Sequence, residues 1–187
     1  MLKKHKGIVI TVLVVLVIVL GLWFVLRGAD TQSALSAIGL RAEHTIVCGA
    51  DENGHIYKVQ IASDVDNKKH ENALVRVQKN ALDVWTVADA VRLENAESAR
   101  ASMQWRVKTY SMNAETPKEQ WHYLYYYISE TKITPKIKAE QLPRGVAVET
   151  LVINGWQKVV HLTTYLPPEK MAEVDVFALL KENGCIL

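Results

Sequence analysis

Trp121, Tyr123, Tyr125 and Tyr127 fall at every second position of the stretch WHYLYYYI. In a strand that spacing puts four rings on one face, and His122, Leu124, Tyr126 and Ile128 on the other. Rings presented in this way can hold a sugar or a peptide, because aromatic surface is one of the ways such ligands are bound. The same rings can also pack against neighbouring strands and stabilise a sheet with no ligand at all. Both faces are mostly apolar, which suits a central strand covered on both sides. Cross-strand packing is therefore the favoured reading, with Trp121, Tyr123, Tyr125 and Tyr127 kept as the alternative ligand or interaction face.

Little else in the chain has the spacing of a reaction centre. There is no P-loop, no G-x-G-x-x-G after a strand, no H-E-x-x-H and no G-x-S-x-G. His44 and Cys48 are four apart; at about 3.3 Å per residue a strand would hold them about 13 Å apart, too far for one zinc ion. His161 lies among Val159, Val160 and Leu162 and reads as a satisfied core histidine rather than a base. Asp51-Glu52 and Asp64/Asp66 read as turn chemistry. The stretch DVDN at Asp64–Asn67 starts like a calcium loop but lacks the glycine and the distal glutamate. The expectation is no catalytic residue, no cofactor and no metal. Cys48 and Cys185 are the only cysteines; an oxidising compartment would permit a disulfide between them, and two separate buried thiols are the alternative.

The elements around these residues begin with an uncharged run from Gly7 to Leu26, GIVITVLVVLVIVLGLWFVL. Twenty residues of helix span about 30 Å, the thickness of a bilayer core. The run is longer than the apolar core of a cleaved leader and ends LWFVLR, and the small residues SALSA at Ser33–Ala37 lie well past it, so it predicts an uncleaved transmembrane anchor with Trp23 at the interface. Lys3, Lys4 and Lys6 precede it and only Arg27 follows closely, which predicts a cytoplasmic amino end and an extracytoplasmic remainder on a single-pass membrane protein. Without those four residues, 18 of the 22 basic residues stand against 20 acids. A domain near −2 argues against a nucleic-acid partner. The predicted organisation is a basic flank 1–6, an anchor 7–26, a helix or linker 27–42 and a β-rich domain 43–187.

Asp30 or Thr31 caps a short helix that Gly39 stops, read as a tie between domain and membrane. Hairpins are predicted at Asn53-Gly54, Lys79-Asn80 and Asn154-Gly155, the first from the tolerance of Asn and Gly for positive φ. Tyr57, Val59 and Ile61 alternate with Lys58 and Gln60, and Met103, Trp105 and Val107 with Gln104, Arg106 and Lys108. Pro135, Lys136 and Lys138 suit a polar edge strand. Pro167-Pro168 opens a closing helix through EKMAEVDVFALLKEN that Asn183-Gly184 ends, with CIL as a last edge strand. The fold class is α+β: one N-terminal transmembrane helix, then a mainly antiparallel sheet of about eight strands with a short N-terminal and a C-terminal helix.

The anchor, the stretches TIVCGADENGHIYKVQIA, ALVRVQKNALDVW and YYYISETKITPKIKAEQL, and the closing INGWQKVVHL resemble the small, N-terminally anchored, uncharacterised exported proteins of Gram-positive bacteria. The resemblance implies a location in the cell envelope and a general architecture, and carries no activity. The resulting expectation is a membrane-anchored extracytoplasmic interaction or sensing module without catalysis, contacting the bilayer through residues 7–26 and an envelope protein through its outer domain. A structural accessory subunit of an envelope complex, or an enzyme of unrecognised type, are the alternatives.

Overall fold

The computed structural model describes residues 2–27, 29–66, 72–93, 102–110, 118–129, 137–153 and 156–186. Eight strands form one antiparallel sheet: β1 (Leu40–Ala50), β2 (Ile56–Asp64), β3 (Asn72–Lys79), β4 (Trp85–Leu93), β5 (Ser102–Tyr110), β6 (Glu119–Ile128), β7 (Val146–Val152) and β8 (Gln157–Thr164). Their order is β4-β3-β2-β1-β5-β6-β8-β7. β1 to β4 form a meander in which each strand pairs with its sequence neighbour. The turn before β2 closes as expected, with Gly54 at φ 80° and its N–H donating to the Asp51 carbonyl at 3.0 Å. The turn between β7 and β8 lies outside the described residues, as does the predicted edge strand around Pro135 and Lys136.

Among the described residues the two halves of this sheet are hydrogen-bonded at one residue pair. β1 pairs with β5 only through Ala50 and Tyr110, whereas β1 and β2 run side by side from Leu40 to Ala50, with bulges between Ala42 and His44 and between Thr45 and Val47. From that bridge the halves β1–β4 and β5-β6-β8-β7 fold to face one another. One core cluster draws on both: Val47, Tyr57, Val59, Ile61, Leu74 and Leu93 from the first, Val107, Leu124, Tyr126 and Val159 from the second. The hydroxyl of Tyr57 reaches across to donate to the Lys108 carbonyl at 2.6 Å.

Each half also buries its outer face. Helix α2 (Thr31–Ser36) is capped by Asp30, whose carboxylate accepts from the Ser33 N–H at 2.6 Å. Its Leu35 seals Ala62, Ala73, Val75 and Val77. This helix is therefore a lid on the first half-sheet, where the sequence had suggested a tie to a membrane. The second half is covered by α3 (Pro168–Ala172) and α4 (Val176–Glu182), which bring Met171, Val176 and Leu180 onto Tyr123, Tyr125, Tyr127, Val160 and Leu162. One closing helix was expected and two are found. Asp175 starts the second by accepting from the Ala178 N–H at 2.9 Å, a cap that cannot sit inside a continuous helix. Cys185 and Ile186 follow Gly184 (φ 67°) without forming a strand.

The N-terminal run is helical, α1 (Leu2–Arg27). The expected transmembrane anchor over 7–26 is corrected: among the described residues no helix is long and apolar enough to cross a membrane. With the anchor go the single-pass membrane localisation and the orientation drawn from Lys3, Lys4 and Lys6. Val12, Leu16, Val19 and Trp23 are all solvent-exposed on this helix.

The close approach at the bridge gives a first expected result. A Cβ on Gly49 would lie 2.7 Å from Thr109 Cβ and 2.6 Å from its Cγ2. Thr is branched at Cβ and cannot swing its stem aside. Gly49→Ala should cost about 1–3 kcal/mol, as overpacked sites do, read from the urea midpoint at unchanged m-value.

Candidate binding site between the half-sheets

Alternation along β5, β6 and β8 aims one set of side chains into the space between the halves. Register then does what sequence spacing could not: Val107 sits opposite His122 on β6, and His122 opposite Thr163 on β8, with His161 opposite Leu124 one step along. Two histidines 39 residues apart become neighbours. His122 Nδ1 and His161 Nε2 are 2.9 Å apart, and the rings stack with centroids 5.2 Å apart. Thr109 Oγ1 lies 3.0 Å from His122 Nε2, and Thr163 Oγ1 lies 3.1 Å from His161 Nε2. Each histidine is only 7 % exposed. Burial, and the neighbouring His161, push His122 down to about 4; burial also lowers His161, opposed by the Glu149 carboxylate on β7. Both rings are neutral near pH 7, and one N–H bridges them.

At the other end of the same interior the halves are joined by Asn72 Nδ2 donating to Gln157 Oε1 at 2.9 Å. At about 3.3 Å per residue this is about 13 Å along β8 from His161. Beside it opens a cavity of about 490 Å³, lined by Arg41, Glu43, His44, Ile61, Ser63 and Asn72 of the first half and Leu151, Val152 and Ile153 of the second. Its polar wall is already ordered. Glu43 Oε1 accepts from Arg41 Nη2 at 2.9 Å and from Ser63 Oγ at 2.5 Å, and these bonds hold its carboxyl below the usual range. Its floor is apolar, from Ile61, Leu151 and Ile153.

The aromatic face lies elsewhere. Tyr123, Tyr125 and Tyr127 point away from this interior, beneath the C-terminal helices, and Tyr125 meets Phe177 edge to face at 5.8 Å. The Tyr127 hydroxyl lies beside the Cys185 thiol, and burial raises both groups. Trp121 alone is at the margin, with Arg106 and Lys108 over its ring at 5.7 and 5.5 Å. Tyr123, Tyr125 and Tyr127 are buried in this core. No disulfide joins the cysteines: Cys48 is exposed on β1 and Cys185 is buried in the C-terminal cluster. Among the described residues no group of three or more His, Cys, Asp or Glu is placed to hold a metal ion.

Sequence reasoning took His161 as a satisfied core histidine, and its bonds to His122 and Thr163 are that satisfaction. It did not find the pair, nor the cavity residues, because both depend on which strands face one another. The alternation of His122 with Leu124 and Tyr126 was the available clue. No family model, no curated protein and no solved structure matches this chain.

Proposed function

We propose that the chain is a non-catalytic binding module that holds a small amphipathic molecule in the mouth between its half-sheets. The observation that carries this is the cavity of about 490 Å³, within the range of about 300–1,000 Å³ in which ligand sites fall. It combines an apolar floor with a few convergent polar groups. Arg41 and Glu43 neutralise one another, so the wall suits an uncharged hydrogen-bonding end rather than a carboxylate or an amine. The rest of a ligand would cover Ile61, Leu151 and Ile153. Among the described residues the partners of the buried histidines are one another and the Thr109 and Thr163 hydroxyls, an arrangement that supports a packing role.

The test is a thermal-shift screen with short neutral amphipathic alcohols and amides, with matching carboxylates and amines as controls. A neutral member at 100 times its Kd should stabilise the protein by about 2.7 kcal/mol. Leu151→Trp, which fills the mouth from β7, should abolish that shift. The reading fails if no neutral compound raises the melting temperature, or if the filled variant responds as the wild type does.

A further inference from the structure

We propose that the mouth between the half-sheets selects its occupant by the hydrogens it brings, holding an uncharged polar end with two hydrogen-bond donors: a primary carboxamide or a vicinal diol. That selection rests on the binding module described above and names its ligand class. Strand register builds the wall that makes it. Arg41 on β1 stands opposite Ser63 on β2, and Ser63 stands opposite Asn72 on β3. Together with Glu43, two residues on from Arg41, this row lines the cavity.

Most hydrogens of that wall are already committed. A serine hydroxyl has one, and Ser63 gives it to Glu43 Oε1 at 2.5 Å. Arg41 donates to the same oxygen from Nε at 3.2 Å and from Nη2 at 2.9 Å. Asn72 donates from Nδ2 to Gln157 Oε1 at 2.9 Å. Among the described residues this leaves three acceptors without a donor: Glu43 Oε2, the lone pairs of Ser63 Oγ, and Asn72 Oδ1. Glu43 is exposed and Ser63 and Asn72 are half-buried, so these oxygens are within a ligand's reach. The Ser63 hydroxyl, and Arg41 after it, hold the Glu43 carboxyl below its usual range, which keeps Oε2 an acceptor at neutral pH.

A ligand that covers these oxygens takes away their water. Unless it supplies hydrogens in return, acceptor faces acceptor and the desolvation is not offset. Arg41 keeps further N–H groups, but its side chain is 62 % exposed, so they stay hydrated at the rim and discriminate little. A carboxylate brings no hydrogen. An ammonium brings three, together with a charge that the mutually neutralised Arg41 and Glu43 do not balance. A single hydroxyl brings one hydrogen to three acceptors. A primary carboxamide brings two from one nitrogen, and a vicinal diol two from adjacent oxygens, both without charge. The apolar remainder of either lies over Ile61, Leu151 and Ile153.

Titration calorimetry on the full chain tests this with two series. One is octanamide, its N-methyl and N,N-dimethyl derivatives, and methyl octanoate. The other is the vicinal diol of the same chain and its mono- and dimethyl ethers. Each hydrogen replaced by methyl should weaken binding roughly tenfold, although the apolar surface grows. The series that shows this penalty names the polar end. Glu43→Gln separates hydrogen bonding from size. Arg41 and Ser63 keep the amide oxygen turned towards them, so an N–H donor replaces Oε2 in the mouth. The preference for octanamide over its N,N-dimethyl derivative should then fall roughly tenfold. Leu151→Trp should remove the binding altogether. Methylated members that bind as tightly as their parents, or an unchanged preference in Glu43→Gln, overturn the donor requirement and leave the binding module standing. If no member of either series binds, or if the binding survives Leu151→Trp, the module and the requirement fall together.

Discussion

Leu124→Ala and Tyr125→Ala, one on each face of β6, should each lower the unfolding free energy by about 3 kcal/mol, the scale of large-to-small core substitutions. Leu124 is fully buried between the half-sheets with Val59, Leu74 and Val159. Tyr125 is 8 % exposed and lies beneath the C-terminal helices with Met171 and Val176. A strand buried on both faces has no side on which a ring can be trimmed cheaply. If the tyrosines were instead a solvent-facing platform, Tyr125→Ala would cost less than about 1 kcal/mol. Urea denaturation of the two variants decides this. Equal losses place both faces in the core, whereas a loss confined to Leu124→Ala would mean that α3 and α4 do not cover the sheet in solution.

Stability should also fall steeply as the pH drops from 6.5 towards 4. The folded pKa of His122 lies at about 4, below the value of about 6.5 in an unfolded chain. Between those values the unfolded state carries a proton that the folded state refuses, so the unfolding free energy rises with pH and is lost on acidification. Above pH 6.5 the group has no effect, and below about 4 its loss is complete. The loss is on the order of 3 kcal/mol at one unit per 1.36 kcal/mol. His161, lowered in the same direction, adds to it. The carboxyls of Asp30, Glu43 and Asp51 are also held below their ordinary values of 3.8, 4.5 and 3.8. Their stabilisation fades as the pH falls from about those values through lower folded ones, so a drop that has begun by pH 6 belongs to the histidines. Chemical denaturation at half-unit pH steps measures it. A flat profile from pH 7 to 5 would contradict a neutral buried pair.

The strands were legible in the sequence because their alternation is local. Val75 and Val77 against Arg76 and Gln78 place one face of β3 without knowledge of its neighbours, and Asn53-Gly54 marks the turn between β1 and β2 because few other residues accept that backbone. What a face is buried against is not local. Nothing in WHYLYYYI says that Phe177, half a hundred residues later, will meet Tyr125. The break between α3 and α4 was readable in Asp175, yet the helical spacing of Met171, Val174 and Ala178 ran across it and prevailed. The histidine pair and the cavity were out of reach for a different reason. Each arises from the pairing of strands and the folding of one half-sheet onto the other, and no short spacing encodes that.

The described bridge between β1 and β5 also bears on how the molecule avoids its own kind. Along Leu40–Gly49 the described pairing of β1 is to β2 alone, and β5 before Tyr110 pairs only with β6. An unpaired strand edge is the template on which a foreign strand adds and aggregation starts. β1 is poorly suited to accept one. Its two bulges break the even spacing that a second strand would need, and Arg41 and Glu43 put charge along the same stretch. The irregularities that look like flaws in the β1–β2 ladder thus work against strand addition, and a substitution that straightened them would be expected to favour fibrous assembly over the native fold.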